Sequence, residues 1–381
     1  MNIGVIIPAA GTGDRFESSP PKQFVKVDGL PLLYYTIDNF IKLINDQWMI
    51  SIVVVCSDAY INLVKEEILS YFSNYVGRGS LAVTVGSDTR HRSIHMGLNY
   101  LANSLKRPDL IIIHDGVRPL VDPRYLARLI ESAREHGAAG PICDLISTPL
   151  QVDSENFVKG VINRDSLKLS EMPQIFKFEV IKKAYDGASD SDLDNGTECI
   201  DLVNKYTDVR TKALSGFPSN LFKVTYKKDL YAVEGLLKEM RTIKLIPMAS
   251  IMDDDFLLIE KVEKELRKRF KQIIIETYRN GYNVCSPTDS LVFFWFLESW
   301  NVFKAEELSL QKGQKNSNSA HVILFNRELL DLEYADVVRH TRGSPNNYII
   351  GHLKSEPSKI IKFLGTILWN HDHLNGYVHF L

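Results

Sequence analysis

Along the first half of the chain, short β-branched and apolar runs alternate with stretches whose apolar positions recur at helical spacing. NIGVII precedes PLLYYTIDNFIKLI, ISIVVVC precedes DAYINLVKEEILSYF, LAVTVG precedes DTRHRSIHMGLNYLAN, and DLIIIH precedes DPRYLARLIESAREH. Strand-sized runs coupled to helix-sized amphipathic segments predict stacked βαβ units, hence a parallel sheet covered by helices on both faces. In such a sheet the ligand site is expected in the crevice beyond the carboxyl ends of the strands.

The rhythm breaks near residue 141. PICDLISTPLQVDSENFVKGVINRDSLKLSEMPQIF holds several β-type runs and a turn-like DSEN, and predicts a β-arm projecting from the sheet over about 142–172. FKFEVIKKAYDG, GTECIDLVNKY, VRTKALSG and LFKVTYKKDLYAVEGLLKEM restore the alternation, so a first domain is expected over 1–241. Residues 242–381 carry TIKLIPM, LLIEKVEKELRKRF, KQIIIET, LVFFWFL, AHVILFN, NNYIIGHL and PSKIIKFLGTILW, the pattern of a second, smaller α/β domain. That half shows neither a glycine-rich phosphate loop nor a metal-ligand spacing, and is expected to be non-catalytic. Its polar QKGQKNSNS reads as a surface connection.

Composition narrows the partners. A chain of 381 residues, 45% hydrophobic, can bury two cores. Its formal charge of -2, from 45 basic and 47 acidic residues, supplies no basic field and argues against nucleic acid. Cys56, Cys143, Cys199 and Cys285 stand far apart with no C-x-x-C pair, and are expected as reduced thiols. The densest apolar run is too short to span a bilayer and no secretory leader precedes the first strand, so a cytosolic protein without membrane contact is expected.

Candidate chemistry begins with PAAGTGDRFESSPPKQF, which follows the first apolar run. Gly11 and Gly13 open a G-x-G-x-x-G pattern, but Phe16 occupies the third glycine position, and no G-x-x-x-x-G-K-[ST] follows. A dinucleotide site and a Walker loop are both disfavoured. What remains are backbone amides freed by glycine, with Arg15 and Lys22 as a fork and a point charge suited to a triphosphate. HDGVRP ends another strand, where Asp115 could hold Mg²⁺ or a ribose hydroxyl and Arg118 could face an anion. In GSDTRHRSI, Ser87 or Asp88 is the expected helix N-cap, with Arg90 and Ser93 on one face of the helix that follows. Arg164 in the arm and Lys223 in FKVTYKKDL are further cations, and His91, His95 and His114 show no zinc spacing.

Taken together, PAAG with Arg15 and PKQ, then DTRHRSI, HDGVRP, Arg164 followed by MPQ, and FKVT occur in the order that resembles the IspD-like cytidylyltransferases. The resemblance covers the first domain and implies a Rossmann-like nucleotidyltransferase fold that joins CTP to a polyol phosphate. SEMPQIF, GTEC, TRHRSI and KVTYKKDLYAVE, with the extra carboxyl-terminal domain, are more similar to the branch of the family acting on D-ribitol 5-phosphate. The isoprenoid-pathway branch carries Thr-Pro-Gln where this chain has Met172-Pro173-Gln174, which disfavours its substrate; methylerythritol phosphate or another pentitol phosphate is the alternative. A nucleotide-binding scaffold without catalysis is disfavoured because Arg15, Lys22, Asp115, Arg118, Arg164 and Lys223 are all present. The resemblance implies that Ala9, Ala10, Gly11, Gly13, Asp88, Ser93, Asp115 and Gly116 surround CTP, and that Arg15 and Lys22 stabilise the triphosphate during reaction. It implies that Arg118, Arg164 and Lys223 position the polyol phosphate, with Arg164 and Lys223 also acting in catalysis. It further implies Mg²⁺ at Asp115, a homodimer joined through the arm so that Arg164 reaches the partner's site, and a product, CDP-ribitol, that feeds ribitol-phosphate glycan synthesis on dystroglycan.

Overall fold

The computed structural model describes residues 1–11, 16, 20–43, 47–72, 80–217, 221, 223–240, 242–248, 253–268, 270, 272–275, 290–297, 319–325, 347–352, 357–369 and 378–380. The chain divides into two compact units, Met1–Val233 and Glu234–Leu381. The division falls inside a helix, α8 (Lys227–Met240).

In unit 1 the apolar runs form β1 (Asn2–Ala9), β4 (Met49–Cys56), β5 (Ser80–Val85) and β6 (Leu110–Ile113). They lie parallel in the order β6-β1-β4-β5. The sheet continues past β6 through β11 (Gln174–Lys177), antiparallel to it, and then β7 (Ala138–Asp144). A short ribbon of β2 (Lys26–Val27) and β3 (Leu30–Pro31) precedes α1 (Leu32–Ile41).

Alternation along β1 divides the core. Val5 and Ile7 face α1, α2 (Ile61–Tyr71) and α4 (Pro123–His136) through Leu33, Ile37, Val64, Ile68, Leu126 and Ile130. Ile6, with Val53 and Val55, faces α3 (Arg90–Ala102), α5 (Phe178–Gly187) and α7 (Cys199–Tyr206) through Ile94, Leu98, Ile181 and Leu202. Between α5 and α7 lies the short α6 (Asp190–Asn195). Strands buried on both faces must be apolar at nearly every position, which is why NIGVII, ISIVVVC and DLIIIH lack a polar side.

The irregular segment is a hairpin of β8 (Leu150–Val152) and β9 (Val158–Val161), antiparallel and apart from the main sheet. Its roots belong to that sheet: β10 (Lys168–Ser170) pairs with the end of β7, Leu169 opposite Cys143. β12 (Lys212–Leu214) adds to the other side of β7.

Unit 2 is a six-stranded parallel sheet in the order β14-β13-β15-β16-β17-β18. Its strands are β13 (Thr242–Met248), β14 (Gln272–Ile275), β15 (Ser290–Leu297), β16 (Ser319–Phe325), β17 (Asn347–His352) and β18 (Val378–Phe380). Helices α9 (Asp253–Leu266) and α10 (Pro357–Trp369) pack through Ile259, Val262, Ile360 and Leu364 onto Leu245, Val292, Val322 and Ile349. QKGQKNSNS lies outside the described residues except for its last serine. Cys56 and Cys199 are buried free thiols and Cys143 is half-buried, while Cys285 lies outside the described residues. No described helix is long and apolar enough to cross a membrane.

Candidate active site at the strand ends

Where β1, β5 and β6 end, the chain turns over the carboxyl edge of the sheet and leaves a cleft of about 340 Å³. Ala9, Ala10, Gly11, Lys22, Asp88, Ser93, Asp115 and Lys223 all line it. These side chains come from five separate stretches of sequence, brought together because parallel strands deliver their loops to one edge.

Small residues and backbone shape the floor. Gln23 is buried, and its Nε2 donates to the carbonyls of Ala9 at 2.7 Å and Gly11 at 3.1 Å, fixing the turn after β1. Ser93 Oγ accepts from the Ser87 amide and donates to the Ser87 carbonyl, both at 3.0 Å, which closes the turn after β5 against α3. A Cβ on Gly86 would stand 2.8 Å from Ser93 Oγ and 3.0 Å from the Ala10 Cβ, so that turn needs glycine. The N-cap of α3 is Thr89 rather than Ser87 or Asp88, because Thr89 Oγ1 is the atom that accepts from the Arg92 amide. Asp88 is thereby left to the cleft.

Asp115 is the electrostatic centre. Arg90 Nε lies 3.0 Å from Oδ1, and Arg118 Nε and Lys223 Nζ each lie 3.2 Å from Oδ2. Burial alone would raise the Asp115 pKa, but Arg90, Lys223 and Arg118 reverse this and hold it well below the usual carboxylate range. Lys22 Nζ donates to the Val224 carbonyl at 3.2 Å, which sets its ammonium beside the backbone next to Lys223. His91 and His114 are buried; desolvation first, with the Arg90 charge beside His91, pushes each down to about 4. His91 Nδ1 meets Tyr185 OH at 2.7 Å and His114 Nε2 meets the Arg118 carbonyl at 2.8 Å, so both serve as neutral structural rings.

Three expectations are placed differently. Gly116 sits beneath the cleft, its carbonyl accepting from Thr36 Oγ1 at 3.3 Å, and a Cβ there would press Leu33 at 3.2 Å. It packs the floor and does not line the site. Arg118 backs Asp115 through Nε but does not line the cleft: its Nη1 pairs with Glu171 and donates to the Leu221 carbonyl at 2.6 Å, leaving a side chain 11% exposed. Mg²⁺ at Asp115 does not fit, since Arg90, Arg118 and Lys223 take its oxygens and two permanent guanidinium charges repel a dication. A neutral hydroxyl meets no such repulsion. Among the described residues no cluster of three His, Cys, Asp or Glu could hold a metal.

Arg164 lies in the arm, exposed, with Nη1 3.4 Å from the Ile146 carbonyl, and it does not line the cleft of its own chain. Gly13 and Arg15 lie outside the described residues. Pro8, Gln23, Thr89 and Val117 also line the cleft and carry no role in the sequence reading. Gln23 was within reach, because it stands inside the PKQ motif beside Lys22.

A mostly parallel α/β sheet with small residues, two lysines and a buried carboxylate at its carboxyl edge defines a nucleotidyltransferase-like layer. A solved structure described as 4-diphosphocytidyl-2C-methyl-D-erythritol synthase from Anaerococcus prevotii shares this fold, with a TM-score of 0.50 and 24% identity over 62% of this chain and 98% of that one. The sequence pattern of the family described as "IspD: 2-C-methyl-D-erythritol 4-phosphate cytidylyltransferase" matches residues 3–239, and the chain belongs to that family. It is 38% identical over 269 residues to a D-ribitol-5-phosphate cytidylyltransferase of Xenopus tropicalis, covering 68% of this chain and 63% of the relative. With the mouse protein of the same description the identity is 36%, covering 69% of this chain and 59% of the relative. The chain thus spans about three fifths of the length of these animal relatives. A ribitol-5-phosphate cytidylyltransferase of Vibrio parahaemolyticus is 30% identical and is matched over 99% of its length.

Proposed function

We propose that this chain transfers the cytidylyl group of CTP to D-ribitol 5-phosphate, forming CDP-ribitol and releasing pyrophosphate. The observation that carries the reading is the pairing of Lys22 and Lys223 with the small-residue turn Ala9–Gly11 in one cleft. Amides and ammonium groups there suit a chain of phosphates. The polyol follows from the animal relatives' description and from Met172, a buried thioether where the isoprenoid enzymes carry a hydroxyl.

The substrate phosphate is already an anion at neutral pH, so its oxygen can attack the α-phosphorus of CTP without a general base. As that P–O bond forms, the bond from the α-phosphorus to the bridging oxygen breaks, and its electron pair leaves with pyrophosphate. The barrier is the approach of two polyanions, which Lys22, Lys223 and Arg15 lower by charge and by position. Asp115, kept ionised by its cations, accepts a hydrogen bond from a ribose hydroxyl. We assign any divalent cation to the triphosphate itself. On the hairpin, Leu150, Phe157, Val158 and Val161 are exposed apolar side chains, and we infer that a second copy covers them. The product would feed ribitol-phosphate glycan synthesis on dystroglycan.

Pyrophosphate release with CTP against ribitol, xylitol, erythritol and methylerythritol phosphates tests the reading. Ribitol 5-phosphate should be turned over fastest; preference for methylerythritol phosphate would return the chain to the isoprenoid branch, and no turnover of any would sink the proposal. For the dimer, inactive Arg164→Ala mixed with inactive Lys22→Ala should regain activity, because one site of the mixed dimer holds both residues. Demonstrated subunit exchange with no regain would place Arg164 outside the partner's site.

A further inference from the structure

The three cations on Asp115 are held unequally. Arg90 brings Nε and Nη2 each to 3.0 Å from Oδ1. Its Nη1 is tied to the Thr197 carbonyl at 3.3 Å and to Cys199 Sγ at 3.6 Å. Cys199 is itself backed by Tyr185 OH at 3.3 Å, so the guanidinium rests on a buried wall. Arg118 is anchored by Glu171 and Leu221. Lys223 offers one ammonium at 3.2 Å on a side chain 34% exposed, against 22% for Arg90 and 11% for Arg118. Two partners are fixed and one is loose.

We propose that Arg90 is a positioning residue that keeps Asp115 neutralised, so that Lys223 can leave the carboxylate for an incoming substrate phosphate. The inference rests on the reading of the cleft as the site of CTP and polyol phosphate. Taking one partner from a buried ion pair strands the other charge, and that is costly. With Arg90 on Oδ1 and Arg118 on Oδ2, Asp115 stays paired after Lys223 turns away, and the place Lys223 leaves beside Oδ2 opens to a ribose hydroxyl. Without Arg90, Arg118 is the one fixed cation left and it sits on Oδ2, so Oδ1 loses its partner, the carboxylate holds Lys223 more tightly and the phosphate meets a lysine already engaged. Arginine suits the task because its charge is permanent and its fork is held by more than one partner.

Initial rates over both substrates for wild type, Arg90→Gln, Asp115→Asn and the double variant test this, with a melting temperature for each. Arg90→Gln should raise KM for D-ribitol 5-phosphate about tenfold or more, with a much smaller change in KM for CTP. In the Asp115→Asn background the same change should add little, because no carboxylate remains to hold Lys223. Should the glutamine variant not fold, Arg90→Lys carries the same comparison, with a smaller rise again abolished by Asp115→Asn. An arginine needed only for folding would lower activity in both backgrounds alike. Equal losses in both backgrounds, or an unchanged KM for D-ribitol 5-phosphate, would overturn the proposal. Wild-type protein that binds no CTP by calorimetry would overturn the cleft assignment and this proposal together, a result distinct from the other two.

Discussion

Both units lay apolar parallel strands side by side and cover them with helices, yet they bury different things. Unit 1 carries Asp115 among Arg90, Arg118 and Lys223 where its strands end. Unit 2 carries an aromatic row across its middle strands: Phe293, His321 and Tyr348 stand opposite one another in register. The His321 ring stacks at 5.0 Å on Phe293 and 5.3 Å on Tyr348, and its Nδ1 accepts from Trp295 Nε1 at 3.2 Å. A buried charge needs partners that could also be recruited by a ligand; stacked rings gain from burial and mutual contact. One architecture thus carries a buried charge cluster at the strand ends of one unit and an aromatic row across the strands of the other.

The largest effect that would sharpen this contrast is on stability. Trp295→Ala should cost about 3–5 kcal/mol, read as the denaturant midpoint of unit 2, while kcat per folded molecule stays unchanged. A folded variant with lost turnover would break the division by giving unit 2 a part in the reaction. Next comes Lys22→Ala, which should lower kcat by roughly 10²-fold with the melting temperature unmoved, as for the loss of one preorganised donor. Near-normal turnover would take the cleft out of the chemistry.

The smallest effect near neutrality concerns pH. His91 and His114 sit at about 4 when folded against 6.5 unfolded, so between those values the unfolded chain binds more protons. Their contribution to stability is complete above pH 6.5 and is lost as pH falls toward 4. Initial rates at fixed saturation from about pH 5.5 to 8 should show no histidine titration. A rate step near pH 6.5 that His91→Gln removes would show that ring exposed and ionising.

Much of the fold was legible because burial on both faces forces unbroken apolar runs, and NIGVII, ISIVVVC and DLIIIH stand as β1, β4 and β6. The helix cap was misplaced because Ser87, Asp88 and Thr89 all suit that role, and only backbone direction selects among them. Arg118 illustrates a different limit. Near Asp115 in sequence, it reads as a contact for a ligand anion, but Asp115, Glu171 and the Leu221 carbonyl occupy its guanidinium.

By itself the sequence determined the strand and helix order of unit 1, the arm and the small, cationic composition of the stretch after β1, since each depends on local periodicity and residue type. Only the tertiary structure decided which cations share Asp115. Arg90 stands 25 residues from it along the chain, and the two meet because the turns after β5 and β6 converge on one edge of the sheet. Charge pairing depends on distance in space, and no periodicity along the chain encodes that distance.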